Sequence, residues 1–282
     1  MIRGQKAAVT AVRRPDGGVA VDVQPLAAIY NGWMRHTPFL RGIIVLVEAM
    51  ALGISSLIYS ANVSLEEEEE QLGQKSVWAM VIFALLLGVG LFFLLPLFLT
   101  TLADSLISNS VVFHVVEGAI RLAIFVAYLW LISRLKDIRR VFSYHGAEHK
   151  TVNAYEAGEP LEVAAVRRYS TAHPRCGTSF IFIVLVIAIV VFAAMGQHGF
   201  WIMLVSRIVL IPVIAGVSYE VTFFGARHDH NRLVRAVLSP GLWLQSLTTR
   251  EPDDDQMEIG IAALKKALEI DRQAAEAQAL SS

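Results

Sequence analysis

The run His145-Gly146-Ala147-Glu148-His149 sets two imidazoles four residues apart, with a carboxylate beside the second. On a helix such residues share a face, so His145 and His149 can meet one zinc ion while Glu148 reaches water at that ion as general base. The five residues match in full the H-x-x-E-H pattern of inverted zinc peptidases. Downstream, His173-Pro174-Arg175-Cys176-Gly177 holds an imidazole and a thiol in a turn stiffened by Pro174, and His173 and Cys176 extend the donor set to four. Four protein ligands make a closed, structural shell, whereas three leave the open position that catalysis needs. Two blander readings use the same residues: a non-catalytic metal site, or polar packing near a lipid interface, with Cys176 as a buried packing or lipidated side chain.

These donors sit among strongly apolar elements. Hydrophobic residues make up 55% of the 282 and charged ones 17%, against about a quarter charged in soluble domains, and mean hydropathy is +0.54. The fold class is therefore an all-α polytopic membrane protein, a helical bundle with a small N-terminal β-hairpin and a cytoplasmic helical loop region bearing the metal-site motif. Net charge of -1 gives no basis for a nucleic-acid partner, and the single cysteine excludes an internal disulfide framework. The first residues, MIRGQKAAVTAVRRPDGG, lack the apolar core of a signal peptide, so membrane entry rests on the body of the chain.

Alternation in AVTAVRR and VAVDVQ around Pro15-Asp16-Gly17-Gly18 predicts a hairpin cap. Ile43 to Ser60 is short for a span and carries Glu48. Val77 to Leu99 spans, with Pro96 kinking its end. Val111 to Ile132 is long enough, but His114, Glu117 and Arg121 share one helical face, which must look into protein or water. Phe180 to Ala194 and Trp201 to Phe224 form a hairpin across Gly196-Gln197-His198-Gly199. The tail from Asp253 to Leu280 reads as an amphipathic docking helix, with Met257, Ile261, Leu264 and Leu268 on one side.

The chain thus divides into a cytoplasmic β-rich segment (1–35), a hydrophobic helical region (36–133), a cytoplasmic region with both metal motifs (134–178), a transmembrane hairpin (179–224) and a cytoplasmic tail (225–282). Arg134, Lys136, Arg139 and Arg140 before the motif, and Arg227, Arg232 and Arg235 after the last span, place both regions inside by the positive-inside tendency. Arg13, Arg14, Arg35 and Arg41 put the N-terminus inside too. Three candidate segments before residue 134 then make one too many, so four full crossings are expected, with the Ile43 or the Val111 stretch at the interface or re-entrant.

Further polar clusters lie close by. Arg168 and Arg175 can face an anion or lipid headgroups. His228 and His230 can complete the site or simply end a helix. Glu220 beside Tyr219 needs a partner at depth. Gly88, Gly90 and Gly118 form no clean dimer motif, although a homodimer suits a small helical membrane protein.

Three blocks, FSYHGAEHKTVNAYEAGE, STAHPRCGTSF and TTREPDDDQMEIGIAAL, carry a resemblance. With them, nearly all of the chain from Gly32 onward resembles the bacterial DUF1385 family of membrane proteins, described as predicted metal-dependent enzymes. The family start of the type GGQA followed by EGVMMRGP stands here only as a reduced Met1-Ile2-Arg3-Gly4-Gln5-Lys6. The resemblance implies a multi-pass protein of the bacterial cytoplasmic membrane and points to His145, Glu148, His149, Lys150, Asn153, Glu156, His173, Arg175 and Cys176.

The leading expectation is a zinc-dependent hydrolase at the cytoplasmic membrane interface, acting on a membrane protein or peptide or on a lipid-linked substrate. His145 and His149, with His173 or Cys176, would hold the metal, and Glu148 would polarise water. The alternatives are a non-enzymatic, metal-stabilised membrane scaffold or assembly factor, and a small-solute or ion transporter.

Overall fold

The computed structural model describes residues 1–27, 32–64, 74–103, 107, 109–174, 176–196, 198–228 and 230–281. Arg175, Gln197 and the acidic run 66–70 lie outside them.

The predicted hairpin is present and gains a strand. β1 (Ile2–Arg3), β2 (Ala7–Arg13) and β3 (Val19–Pro25) form an antiparallel sheet in that order, with Val9 opposite Val23. Gly17 turns the chain at φ +86°, a conformation that glycine adopts without a Cβ penalty, and Asp16 Oδ1 accepts from Gly18 N at 2.8 Å. The sheet is buried against helices: Ile2 and Val9 pack on Ala263, Leu264 and Ala267 of the C-terminal helix.

After a 3-10 turn at Trp33–Arg35, α1 runs Leu40–Ser64. Its Glu48 is 2% exposed and accepts from Arg3 Nε at 2.9 Å and Arg35 Nη1 at 2.6 Å. Strand residues cover the following turns, Thr10 Oγ1 bonding Ser56 Oγ at 2.7 Å and Gln24 Nε2 donating to Ser55 Oγ at 2.8 Å. The first turn of α1 lies instead against the last apolar helix, where Arg41 pairs with Glu220. Glu220 thereby finds the partner it needs.

α2 (Gln74–Val89) passes through a π-helical turn at Gly90–Leu94 into α3 (Leu95–Leu102). α4 (Ser110–Ile132) starts on Asn109, whose Oδ1 accepts from Val111 N at 2.9 Å, one of the orphan donors of a helix start. The polar α5 (Lys136–Glu156) and the short α6 (Val163–Val166) precede α7 (Gly177–Met195), α8 (Phe200–Val209), α9 (Ile211–Arg227), α10 (Arg232–Thr248) and α11 (Asp254–Ser281). Among the described residues four helices are long and apolar enough to cross a membrane, and the α8/α9 pair raises this to five if counted as one span. That pair occupies the apolar stretch from Trp201 to Phe224 and bends by 50° at its break. Pro212 in the first turn of α9 has no N–H to donate, so the α8 ladder cannot run on through it.

α4 and α7 cross closely: a Cβ on Gly118 would lie 2.2 Å from Ile189 Cγ1. The polar face of α4 looks inward, as its spacing required. His114, Glu117 and Arg121 are at most 2% exposed, and Glu117 accepts from Arg121 Nη2 at 2.6 Å and pairs with Arg207 of α8. Arg121 Nε also donates to Phe92 O at 2.9 Å, a carbonyl inside the π turn, where the ordinary i to i+4 ladder is interrupted.

The C-terminal amphipathic helix is α11. Met257, Ile261 and Leu264 are buried and Leu268 packs partly against the same core, while Glu258 and Lys265 face out.

Candidate metal centre

Residues from α5, the 167–176 loop, α7 and α10 build the site. The apolar side of α5 packs on α11, where Ala147 and Ala154 meet Met257 and Ile261, which turns the opposite side toward the loop. The loop is strapped down by polar residues of the same helix. Lys150 Nζ donates to Arg167 O at 2.9 Å, and Asn153 Nδ2 donates to Ser170 O at 2.9 Å and Ala172 O at 3.0 Å. Buried Gln245 of α10 closes the far side, its Oε1 accepting from His173 N at 3.0 Å and its Nε2 donating to His173 O at 2.9 Å and Ser179 Oγ at 2.7 Å. Gly146 lets the α10–α11 connection approach, because a Cβ there would sit 2.0 Å from Arg250 O.

These straps bring His145, His149 and Cys176 together, with one candidate ligand atom from each within 4.8 Å of the others. His145 Nδ1 lies 2.9 Å from Thr248 O and His149 Nδ1 lies 2.6 Å from Thr171 O. A carbonyl only accepts, so each Nδ1 carries a proton, and in the neutral ring each Nε2 keeps its lone pair. This is the outer-shell arrangement that orients metal-ligating imidazoles. His145 Nε2 stands 3.5 Å from Cys176 Sγ. A tetrahedral ion with ordinary metal–N and metal–S bonds has an N–S edge of about 3.6 Å, and this one donor pair stands at that separation.

Electrostatics favour the ligating thiolate of Cys176 and the charged form of His145, which gives up its Nε2 proton when it ligates. Burial raises the Cys176 thiol, but hydrogen bonds from His145 and His149 outweigh it and bring the pKa down to about 5. Cys176 also caps α7, its Sγ accepting from Thr178 N at 3.4 Å, where the helix dipole favours a thiolate. For His145 burial lowers the pKa, yet the bond to Cys176 and the one to Thr248 leave it raised.

The remaining sequence candidates lie outside this triad. His173 is buried, with its ring centroid 5.8 Å from that of His149 and its Nε2 3.4 Å from Glu156 Oε2. Glu148 Oε2 is 3.4 Å from the Met1 amine, and its side chain lines a cavity between the sheet and α5. His228 stacks on Phe224 at 4.2 Å and bonds Phe224 O at 2.9 Å, and exposed His230 neighbours it. Neither is brought to the centre. Arg168 pairs with Glu159 at 3.3 Å. The supporting residues missed from the sequence are Gln245, Thr248 and Thr171; nothing in their spacing distinguishes them.

The chain is 32% identical over 287 residues to the uncharacterised protein YqhQ of Bacillus subtilis strain 168, an alignment covering 96% of this chain and 90% of that protein. No solved structure matches it. The model of a family described as a protein of unknown function, DUF1385, matches residues 37–270. On that match and that identity, the chain belongs to the DUF1385 family.

Proposed function

We propose that the protein is a zinc-dependent hydrolase at the cytoplasmic face of a bacterial membrane, with His145 Nε2, His149 Nε2 and Cys176 Sγ holding the ion. The observation that carries this reading is the pair of Nδ1 contacts to Thr248 O and Thr171 O, which leaves both Nε2 lone pairs free on the side of Cys176. Three ligands rather than four leave one position for water or substrate, the arrangement of catalytic zinc. A bound zinc ion supplies Lewis acidity for attack on a peptide or ester carbonyl.

The chain's own groups would do the rest. Thr248 and Thr171 fix the imidazole tautomers, and Thr178 N steadies the thiolate. The Glu156–His173 contact at 3.4 Å supplies a proton acceptor beside the centre. Glu148 follows the general-base position of its motif, and serving there requires its side chain to rotate from the cavity toward His149.

The same convergence supports a second reading, a metal-stabilised scaffold, because one ion would tie α5 to the start of α7 and, through Thr248, to the end of α10. X-ray absorption of zinc-loaded protein separates the two. Two nitrogens, one sulfur and one light solvent atom favour the hydrolase, whereas a third histidine nitrogen, from His173, favours the scaffold. Glu148→Gln, with zinc content and unfolding temperature unchanged, should lower hydrolysis of a peptide or lipid-ester library by about 100-fold; unchanged turnover removes Glu148 from the mechanism.

A further inference from the structure

α10 crosses the ends of three apolar helices on the side of the bundle that carries the metal centre. A Cβ on Gly225, in the last turn of α9, would lie 2.9 Å from Leu238 Cδ1. Leu244 packs with Phe125 and Leu129 in the last two turns of α4. Gly241, Gln245 and Thr248 all meet Thr178 or Ser179 in the first turn of α7. Two turns of α10 thus pass over one turn of α7, which is a crossing and not a parallel run. At the same end of α4, Trp130 is exposed and carries the Arg134 guanidinium 3.3 Å over its ring, the aromatic and cationic pairing of a membrane–water interface.

At about 100° per residue the circumference of α10 divides into three sides. Gly241, Gln245 and Thr248 face the protein and are buried. Arg232, Arg235, Ser239 and Ser246 form an exposed polar side, and Leu233, Ala236, Val237 and Pro240 an exposed apolar one. Leu233 and Val237 are 77% and 70% exposed, and exposed Trp243 stands at the border of the two sides. No Asp or Glu occurs between His230 and Arg250. The polar side is therefore purely cationic in its charge.

We propose that α10 is an in-plane anchor that binds the anionic phospholipid leaflet. Leu233 and Val237 enter the acyl region, Trp243 lies at headgroup depth, and exposed Arg227 and Arg232 meet the lipid phosphates. The stretch from Arg232 to Thr248, expected from the sequence in a cytoplasmic tail, thereby lies in the membrane surface. Gln245 and Thr248 of the same helix hold the His173 backbone and the His145 ring, so the anchor fixes the metal centre about one helix width, about 10 Å, from lipid. The anchor needs no bound ion and stands independently of the hydrolase reading.

Photo-crosslinking of the full-length protein in nanodiscs of phosphatidylglycerol and phosphatidylcholine, mixed equally, tests the proposal. With p-benzoylphenylalanine in place of Leu233 or of Val237, lipid adducts counted by mass spectrometry should exceed those from the same label at Ser246 by at least about tenfold. Phosphatidylglycerol should outnumber phosphatidylcholine in the adducts by about threefold, and Arg227→Gln combined with Arg232→Gln should bring the two to equality. Each apolar position carries the test alone should the other label cost the protein its thermal transition. Adducts as frequent at Ser246 as at Leu233 and Val237, adducts to a second protein chain in place of lipid, or no adduct at either apolar position would overturn the anchor. Equal capture of both lipids with the arginines in place would overturn its preference for an anionic leaflet.

Discussion

Replacing Gly146 by alanine adds one methyl group between His145 and the backbone it leans on. Its Cβ would lie 2.0 Å from Arg250 O, 3.2 Å from Arg250 C and 3.3 Å from Thr171 Cγ2. Ordinary C–O contact begins near about 3.3 Å, so the Arg250 carbonyl must retreat by about 1 Å. Arg250 N donates to Phe142 O at 2.9 Å, and Thr248 O, two residues earlier, orients His145 at 2.9 Å. Overpacking of this kind costs about 1–3 kcal/mol, and losing the Arg250–Phe142 bond adds about 1 kcal/mol. Releasing an outer-shell partner of a ligating histidine lowers metal affinity about 10- to 100-fold. Gly177→Ala is the control, because a Cβ there meets nothing within 4 Å. Zinc affinity by chelator competition, alongside thermal unfolding, should drop for Gly146→Ala and hold for Gly177→Ala. Wild-type affinity and unfolding in Gly146→Ala would refute the claim that the α10–α11 connection supports the centre.

Other consequences can be measured separately. Glu117→Ala leaves Arg121 and Arg207 buried without their carboxylate and should destabilise the helical bundle by about 3–5 kcal/mol, read as loss of the folded fraction in a detergent-denaturant titration; a change below about 1 kcal/mol would mean that the cluster is solvated. In metal-free protein the Cys176 thiolate should titrate with a midpoint of about 5, followed by ultraviolet absorbance. Because that value is depressed, the thiolate's contribution to stability is complete above the ordinary thiol range and fades as pH falls through about 5. His145→Ala, which leaves the burial effect less opposed, should move the midpoint up; an unmoved midpoint would contradict the Cys176–His145 contact. Asp271 accepts from Gln5 N at 2.8 Å and Lys6 N at 2.9 Å, so Asp271→Ala should cost about 1–3 kcal/mol and loosen β1 first, seen as faster amide exchange at Gln5 and Lys6.

Much of the architecture was legible because it follows from periodicity. The i, i+3, i+7 spacing of His114, Glu117 and Arg121 dictated a buried face on α4, and the apolar period of Met257, Ile261 and Leu264 dictated the packed side of α11. The four-residue spacing of His145 and His149 put both imidazoles on one side of α5. Partners across the chain were not legible. Arg207 lies within the apolar stretch from Trp201 to Phe224, and only the bend before Pro212 and the crossing at Gly118 bring it to Glu117. The sequence also leaves open which of His173 and Cys176 joins the histidine pair. That choice depends on Gln245 holding the His173 backbone from α10 and on the α7 N-terminus drawing in the thiolate. Glu148 follows the same logic: at one residue from His149 it points about 100° away around the helix, toward the cavity side.

Metal content per chain in gently purified wild-type protein, beside His149→Ala and Cys176→Ala, tests the central claim most directly. About one zinc per chain in the wild type, lost in both variants with the fold retained, is the predicted result. Folded wild-type protein that takes up no zinc, or variants that keep it, would contradict a centre built on His145, His149 and Cys176.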